Sequence, residues 1–417
     1  MTFKFLHAAD IHLDSPLLGL AKKSSEYAER IDRASRTAFE NLIELAIDEG
    51  CNFIVLAGDI FDGDLRNFET GIFFIKQMQR LGKAGIRAFI ILGNHDAENL
   101  FASKLPMSDN VHLFDSKQAE AITIDGLDVT IHGRSFPQRD VTENIARQYP
   151  PAVDGHFNIG VLHTACQGSE GYHAAYAPCT VEQLVNHGYD YWALGHVHSR
   201  VVLNEHPHIV YPGNLQGRNP RETGPKGATL VTVNDGEITH LVHHDLDVVR
   251  WLAIEVDVAN TKNRTSLLAS IRSGIEDGYA DTGDRPLVIR LRLVGETPQH
   301  NSLLIERQTL NDDIAVLLAT LPKLIWLEKL VIDTVPPVVS LSLDPTVSGR
   351  LSAEILEETD EDLNKLIEDR IAIVRAKMPA GAHTETFFNE LRSEAPARAR
   401  KLALSLINNT DDDNASD

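Results

Sequence analysis

Five short stretches carry side chains able to hold a metal ion, and each follows an apolar run: Asp10-Ile11-His12, Gly58-Asp59, Gly93-Asn94-His95-Asp96, His163 and Gly195-His196-Val197-His198. One such stretch says little. An aspartate after a strand often caps a helix, and Asn-His-Asp often makes a polar turn. Together they supply a mixed His/Asp/Asn donor set, the chemistry that suits divalent Mn, Fe or Zn. The candidate ligands are Asp10, His12, Asp59, Asn94, His163, His196 and His198, enough for two divalent ions with Asp59 as the bridge. Asn94 offers a neutral oxygen, which avoids adding charge to an ion already bound by Asp59. His95 is expected to face the substrate as a catalytic group, with Asp96 orienting it. His196 and His198 lie two apart on an extended segment, so they point to opposite sides and can serve different ions.

The elements that must position these groups are legible as apolar runs. Residues 3–9, 53–57, 86–92, 158–162 and 189–194 read as buried strands, each ending just before a candidate ligand. Helical spacing over Arg30–Glu49 and Glu69–Leu81 predicts crossover helices between parallel strands. Such sheets bind ligands at the carboxyl ends of their strands. Gly58 allows the sharp turn that swings Asp59 over that edge. Val111–Phe114, Ala121–Ile124 and Val129–His132 read as short strands of a second sheet. Val201–Leu203 pairs with Ile209–Tyr211, and Ala228–Val233 with Ile238–His243 closes the sheet. Between them, Asn214 and a Gly/Pro-rich loop carrying Arg218, Arg221 and Lys226 form either a phosphate-contacting rim or a solvated loop. The other histidines, His7 among them, are expected to be structural or exposed.

Sixteen of the 18 histidines precede residue 245, which puts the metal chemistry in residues 1–245. Beyond it the pattern is strand 251–256, helix 265–276, strand 287–293, helix 302–318 and strand 326–332. This predicts a smaller α+β cap domain over 246–340. Pro336-Pro337 and Asp344-Pro345 mark a linker. Residues 350–407 read as a helical partner-binding segment, its apolar positions including Phe388 having no evident core to join. Residues 408–417 read as a disordered acidic tail.

Composition narrows the class. A chain of 417 residues with 43% hydrophobic and 24% charged residues is long enough for two or three domains with a large core. No apolar run reaches the length of a membrane span. The first strand leads straight into Asp10, so a cleaved leader there would remove a ligand, and a cytoplasmic location is expected. Cys51, Cys166 and Cys179 form no CxxC pair, which fits a reducing compartment and argues against a zinc ribbon or a disulfide frame. A net charge of −21 makes the lone chain a poor non-specific nucleic-acid binder. If DNA is the substrate, bound cations and a basic partner or patch must supply the attraction.

The ordered series Asp10-x-His12, Gly58-Asp59-x-x-Asp62, Gly93-Asn94-His95-Asp96, His163 and Gly195-His196-x-His198 resembles the calcineurin-like metallophosphoesterase superfamily. Within it, the stretches from His7 to Leu17 and from Tyr211 through Gly227 are similar to bacterial DNA repair exonuclease subunits of SbcD and YhaO type. The resemblance implies a four-layer α/β/β/α sandwich. It implies one metal on Asp10, His12, Asp59 and His198, another on Asp59, Asn94, His163 and His196, and His95 as the catalytic histidine. Manganese is the activating ion it implies. Archaeal and eukaryotic relatives place a second active-site histidine where this chain has Asp62, so the role of that position stays open.

The expected function is therefore a metal-dependent DNA exonuclease or endonuclease that hydrolyses phosphodiesters by a two-metal mechanism. The resemblance also implies DNA repair, an SMC-like coiled-coil ATPase as partner, and a homodimer as one possible assembly. Two alternatives remain: a phosphoesterase acting on a small nucleotide or phosphoprotein, and a non-catalytic metal-bound subunit of an ATPase complex.

Overall fold

In a computed structural model, the residues described are 2–15, 33–62, 68–97, 105–166, 176–280, 282–336 and scattered positions between 365 and 399. Two six-stranded sheets lie at the centre of the fold. The first runs β12-β11-β1-β2-β3-β4 and the second β5-β6-β7-β8-β10-β9. In the first sheet β1 (Thr2–Ala8), β2 (Phe53–Ala57), β3 (Arg87–Ile91) and β4 (Val111–Leu113) are parallel. The antiparallel pair β11 (Gly227–Asn234) and β12 (Glu237–Asp245) continues from β1. In the second, β6 (Val129–Gly133), β7 (Phe157–His163), β8 (Tyr191–Gly195) and β10 (His208–Tyr211) are parallel, with β5 (Glu120–Ile124) and β9 (Val201–Glu205) antiparallel at the edges.

Side-chain alternation along these strands builds the layers. Phe5, Phe53, Val55 and Phe89 point to one face of the first sheet and pack with Ile131, Ile159, Val161 and Tyr191 of the second. Leu6, Ile54, Leu56, Ala88 and Ile90 point to the other face. There they meet Phe39, Leu42 and Ile43 of helix Ala34–Asp48, and Phe74 and Met78 of helix Phe68–Lys83. On the outer face of the second sheet, Leu162, Trp192 and Leu194 pack with Ile145 of a 3-10 turn and Leu184 of helix Val181–Val185. The result is the α/β/β/α sandwich, with the central strands buried on both faces.

One strand departs from the expectation. Val111–Leu113 is not in the second sheet; it extends the first, Ala88 opposite Val111. It is a three-residue edge strand with every residue half-buried, too short for its periodicity to reveal which sheet it joins.

A third sheet orders β13 (Arg250–Asp257), β14 (Leu287–Glu296) and β15 (Ile325–Val335). The helices between them are Arg264–Gly278, His300–Ile305 and Arg307–Ala319, so the single helix expected over 302–318 is broken at Glu306. The chain divides into two compact units whose border crosses these strands. Met1–Ala253, Thr282–Ile289 and Lys323–Glu328 form one; Ile254–Asp281, Arg290–Pro322 and Lys329–Asp417 form the other. The first unit reaches past residue 245 because Trp251 is buried with Ala34, Val249, Val288 and Trp326 and donates its indole N–H to the Gly217 carbonyl at 3.0 Å.

Most of segment 350–407, and all of 408–417, lie outside the described residues. Within it Ile371 and Phe388 are buried, at 2% and 0% exposure, and Arg392 pairs with Glu368. Phe388 is therefore buried, where the sequence left it without an evident core; Phe387, Leu391, Leu402, Leu404 and Leu406 lie outside the described residues. No described helix is long and apolar enough to cross a membrane.

Candidate metal centre

The carboxyl ends of β1, β2, β3, β7 and β8 converge, and each delivers its polar residues there. Asp10, His12, Asp59, Asn94, His163 and His196 are all at most 5% exposed, while His198 is half-buried. One donor atom each from Asp10, His12 and His198 lies within 4.8 Å of the others, and so does one each from Asp10, Asp59 and His163. His196 joins them through its ring, 5.3 Å from that of His163, and its backbone N–H, 3.0 Å from Asp10 Oδ1.

Close approach demands unusual backbone. Asp10, His12, Asp59 and His196 all have positive φ, at 51°, 46°, 52° and 103°. Non-glycine residues held there carry strain that the surrounding fold must offset, a pattern typical of functional sites. Gly58 has φ +90°, and a Cβ on it would sit 2.5 Å from His163 Nδ1. A Cβ on Gly93 would overlap Asp59 Oδ1 and stand 2.8 Å from His163 Cε1. Both glycines are thus required where two sheets bring their ligand loops together.

Hydrogen bonds set the tautomers. His163 Nδ1 donates to the Ala57 carbonyl at 2.9 Å, because a carbonyl can only accept. Its Nε2 then faces Asn94 Oδ1 at 3.0 Å and Asp59 Oδ2 at 3.4 Å. Without a cation this cluster of acceptors needs a second proton on the ring. Burial opposes that proton, but the Asp59 carboxylate outweighs it and raises the His163 pKa to about 9. A bound cation takes that proton's place. His198 Nδ1 lies 2.9 Å from Glu222 Oε1, so Nε2 is the ring nitrogen that would meet an ion. His12 is fully buried; its Nδ1 lies 3.5 Å from Asp62 Oδ1 and its Nε2 3.9 Å from Asp59 Oδ2, and neither nitrogen makes a well-formed hydrogen bond. A buried imidazole so poorly bonded beside two aspartates is costly unless something binds it. The donor set therefore fits divalent metal.

His95 is only partly buried. Its Nδ1 lies 3.0 Å from Asp62 Oδ1, and its backbone N–H donates to Asp59 Oδ1 at 2.9 Å. Burial lowers the affinity of this imidazole for a proton, yet Asp62 and Asp59 prevail and its pKa is raised. Asp62 in turn accepts from Ser15 Oγ at 2.7 Å, and it stays ionised because the His12 and His95 contacts overcome its burial. The expected orienting partner, Asp96, does something else. Its carboxylate accepts the backbone N–H groups of Ile60, Phe61 and Gly93 at 3.1, 2.8 and 3.0 Å, tying the β2 and β3 loops together. Burial, with Asp59 nearby, pushes its pKa up to about 7. The reason is direction: Asp96 follows His95 in a short helix and points back into the loops, whereas Asp62 arrives from the facing loop.

The loop from Gln216 to Gly227 also differs from a phosphate rim. Lys226 is 5% exposed, and its Nζ donates to the His198 carbonyl at 2.7 Å. Asn214 is fully buried, donating to the Gln216 carbonyl at 2.9 Å and to Glu222 Oε2 at 2.8 Å. Both brace the site from within. Arg218 is half-buried, 3.3 Å from Ser15 Oγ and 3.8 Å from Asp62 Oδ2. Arg221 is exposed at the loop surface. Glu222 was not flagged by its sequence. Burial works against its charge, but His198 and Arg218 hold its carboxyl well below the usual range. An acidic residue in a loop has no signature; only its contact with His198 reveals it.

Fold and site define a metallophosphoesterase. A family model for calcineurin-like phosphoesterases matches residues 3–200, and one for the middle domain of metallophosphoesterase YhaO matches 251–335. The chain is 39% identical over 301 residues to the uncharacterized metallophosphoesterase YhaO of Bacillus subtilis strain 168, covering 71% of this chain and 72% of that protein. It is 25% identical over 314 residues to the DNA double-strand break repair protein Mre11 of Methanopyrus kandleri, covering 68% and 66%. The protein of the same name from Sulfurisphaera tokodaii is 24% identical over 327 residues, covering 74% and 78%. The chain belongs to the calcineurin-like metallophosphoesterases and, within them, to the YhaO family.

Proposed function

We propose that this chain is a metal-dependent DNA nuclease that hydrolyses phosphodiester bonds, working in DNA repair with an SMC-like ATPase. The observation that supports it best is the convergence of Asp10, His12, Asp59, Asn94, His163, His196 and His198 beside a His95–Asp62 pair. Asp10, His12, Asp59 and His198 would hold one ion; Asp59, Asn94, His163 and His196 the other, with manganese the ion we expect. Two such ions supply Lewis-acid polarisation of a phosphoryl group and a water acidified for attack. The chain's own groups do the rest. Asp62 holds the Nδ1 proton of His95, leaving Nε2 on the accessible side to give a proton to the departing oxygen. Glu222 keeps the His198 ring turned with Nε2 inward, as carboxylate–histidine pairs do at metal sites. Arg218, beside Ser15 and Asp62, is the cation best placed to meet a phosphate. The relatives named for double-strand break repair favour DNA as substrate.

A net charge of −21 favours the second reading, a phosphoesterase for a small nucleotide or phosphoprotein. One experiment separates them: Mn-dependent turnover by the purified full chain on linear duplex DNA, cyclic nucleotides and a phosphopeptide. Cleavage of DNA above the small substrates supports the nuclease. Turnover of a small substrate alone overturns it, and no turnover of any by a metal-loaded chain points to the non-catalytic subunit. Co-purification of the full chain with a coiled-coil ATPase tests the partner.

A further inference from the structure

Two thiols are left unused by this chemistry. Cys166 follows β7 and lies three residues beyond His163; Cys179 leads into the helix Val181–Val185. They are the two partners of an isolated parallel β-bridge. Bridged strands lie about 4.8 Å apart, inside the roughly 4.4–6.8 Å between Cα atoms that a disulfide spans. Both cysteines are reduced and buried, 2% and 4% exposed. A hydrogen bond with the Cys166 thiol, ahead of opposing burial, holds the Cys179 thiol below its ordinary range. Cys179 Sγ also lies 3.4 Å from Thr164 Oγ1. Cys51 offers a contrast: it sits in a different core, and burial pushes its thiol up to about 12.

We propose that Cys166 and Cys179 form a thiol–disulfide exchange site that takes a low-molecular-weight disulfide, such as oxidised glutathione, as its co-substrate. The Cys179 thiolate attacks one sulfur of the small disulfide, forming a mixed disulfide and releasing one small thiolate. The Cys166 sulfur then attacks Cys179 Sγ and releases the second. The two protein thiol protons end on the two released thiols, and the pair of electrons passes from the protein to the small disulfide. Burial makes the rate depend on local opening, whereas proximity governs the equilibrium. The bond would fasten the end of β7 to the chain around Tyr176, whose carbonyl accepts from Ala165 N–H at 2.8 Å and whose ring lies 5.6 Å from that of His196. Oxidation would thus clamp a segment that packs on the metal centre. The site stands whether or not the chain is a nuclease.

The full chain would be equilibrated in glutathione buffers of graded ratio, quenched in acid, unfolded, alkylated and mapped by mass. No Lys or Arg separates the two cysteines, so one tryptic peptide carries both. The expected product is that peptide lighter by two hydrogen atoms, its halves still joined after cleavage at Glu170, with Cys51 alkylated throughout. In Cys166→Ser the resolving thiol is gone, and a glutathione adduct should accumulate on Cys179. Alkylation of both cysteines in the most oxidising buffer, while the unfolded chain forms the bond there, would overturn the proposal. So would linkage of Cys51 to either cysteine in equal yield.

Discussion

Asp62→Asn isolates the pairing of Asp62 with His95, the histidine proposed to donate the proton. The substitution keeps the size of the side chain and removes its charge 3.0 Å from His95 Nδ1. Both side chains are about one-third exposed, at 33% and 30%, so solvent screens the pair and a fully buried value does not apply. A hydrogen bond to a charged group contributes roughly 1.5–3 kcal/mol, and screening brings this pair to about 1–1.5 kcal/mol. At about 1.4 kcal/mol per decade, that is roughly a 5- to 12-fold loss of His95 competent to donate a proton. The sign of the pH effect follows. Asp62 raises the His95 pKa, and a general acid loses activity as pH rises through that pKa. Removing Asp62 moves the alkaline limb of the rate profile to lower pH. Bound cations push the His95 pKa down in both proteins, so the comparison between them keeps its direction. The assay is Mn-dependent hydrolysis of linear DNA and of a nitrophenyl phosphodiester on one preparation, with metal content measured. DNA cleavage should fall by that factor. The nitrophenyl ester, whose leaving group needs little protonation, should slow less. His95→Gln should lose about 10²–10⁴-fold on DNA and show no further loss when combined with Asp62→Asn. Equal slowing on both substrates, or an additive double variant, would refute proton donation by a His95–Asp62 pair.

Asp59→Asn removes the negative charge expected to be shared by both ions, so metal analysis should find occupancy well below wild type; two ions retained would end the bridging assignment. Gly93→Ala forces a Cβ against Asp59 Oδ1. It should cost about 1–3 kcal/mol by urea unfolding of the metal-free protein, and an unchanged midpoint would show that the two loops yield. His7 is fully buried between the Tyr191 hydroxyl and the Leu194 carbonyl, and burial lowers its pKa to about 3. The unfolded chain therefore binds more protons than the folded one between its ordinary value near 6.5 and about 3. Stability that is full above pH ~6.5 should fall by about 1.4 kcal/mol per pH unit below it. His7→Gln should flatten the difference in urea midpoint between pH 7 and pH 5; an unaltered slope would assign the dependence to other groups.

The sequence determined the ligand-bearing strands because their signals are local. An apolar run followed by glycine and a polar residue marks β2 and Asp59, or β3 and Asn94, without reference to any other part of the chain. The order of those motifs carried the family resemblance, and it was the resemblance that implied the sandwich. What it could not determine depends on which loops meet across two sheets. Asp62 rather than Asp96 reaches His95 because the β2 loop faces the β3 loop, while Asp96 turns back onto three backbone N–H groups. Lys226 reads as a surface cation and Glu222 as an ordinary loop acid until the loop folds inward and sets both on His198. The same holds for β4, whose three residues carry too little pattern to choose a sheet. Pairing across the fold is a property of close packing between distant segments, and it becomes definite only when the backbone has brought them within hydrogen-bonding distance.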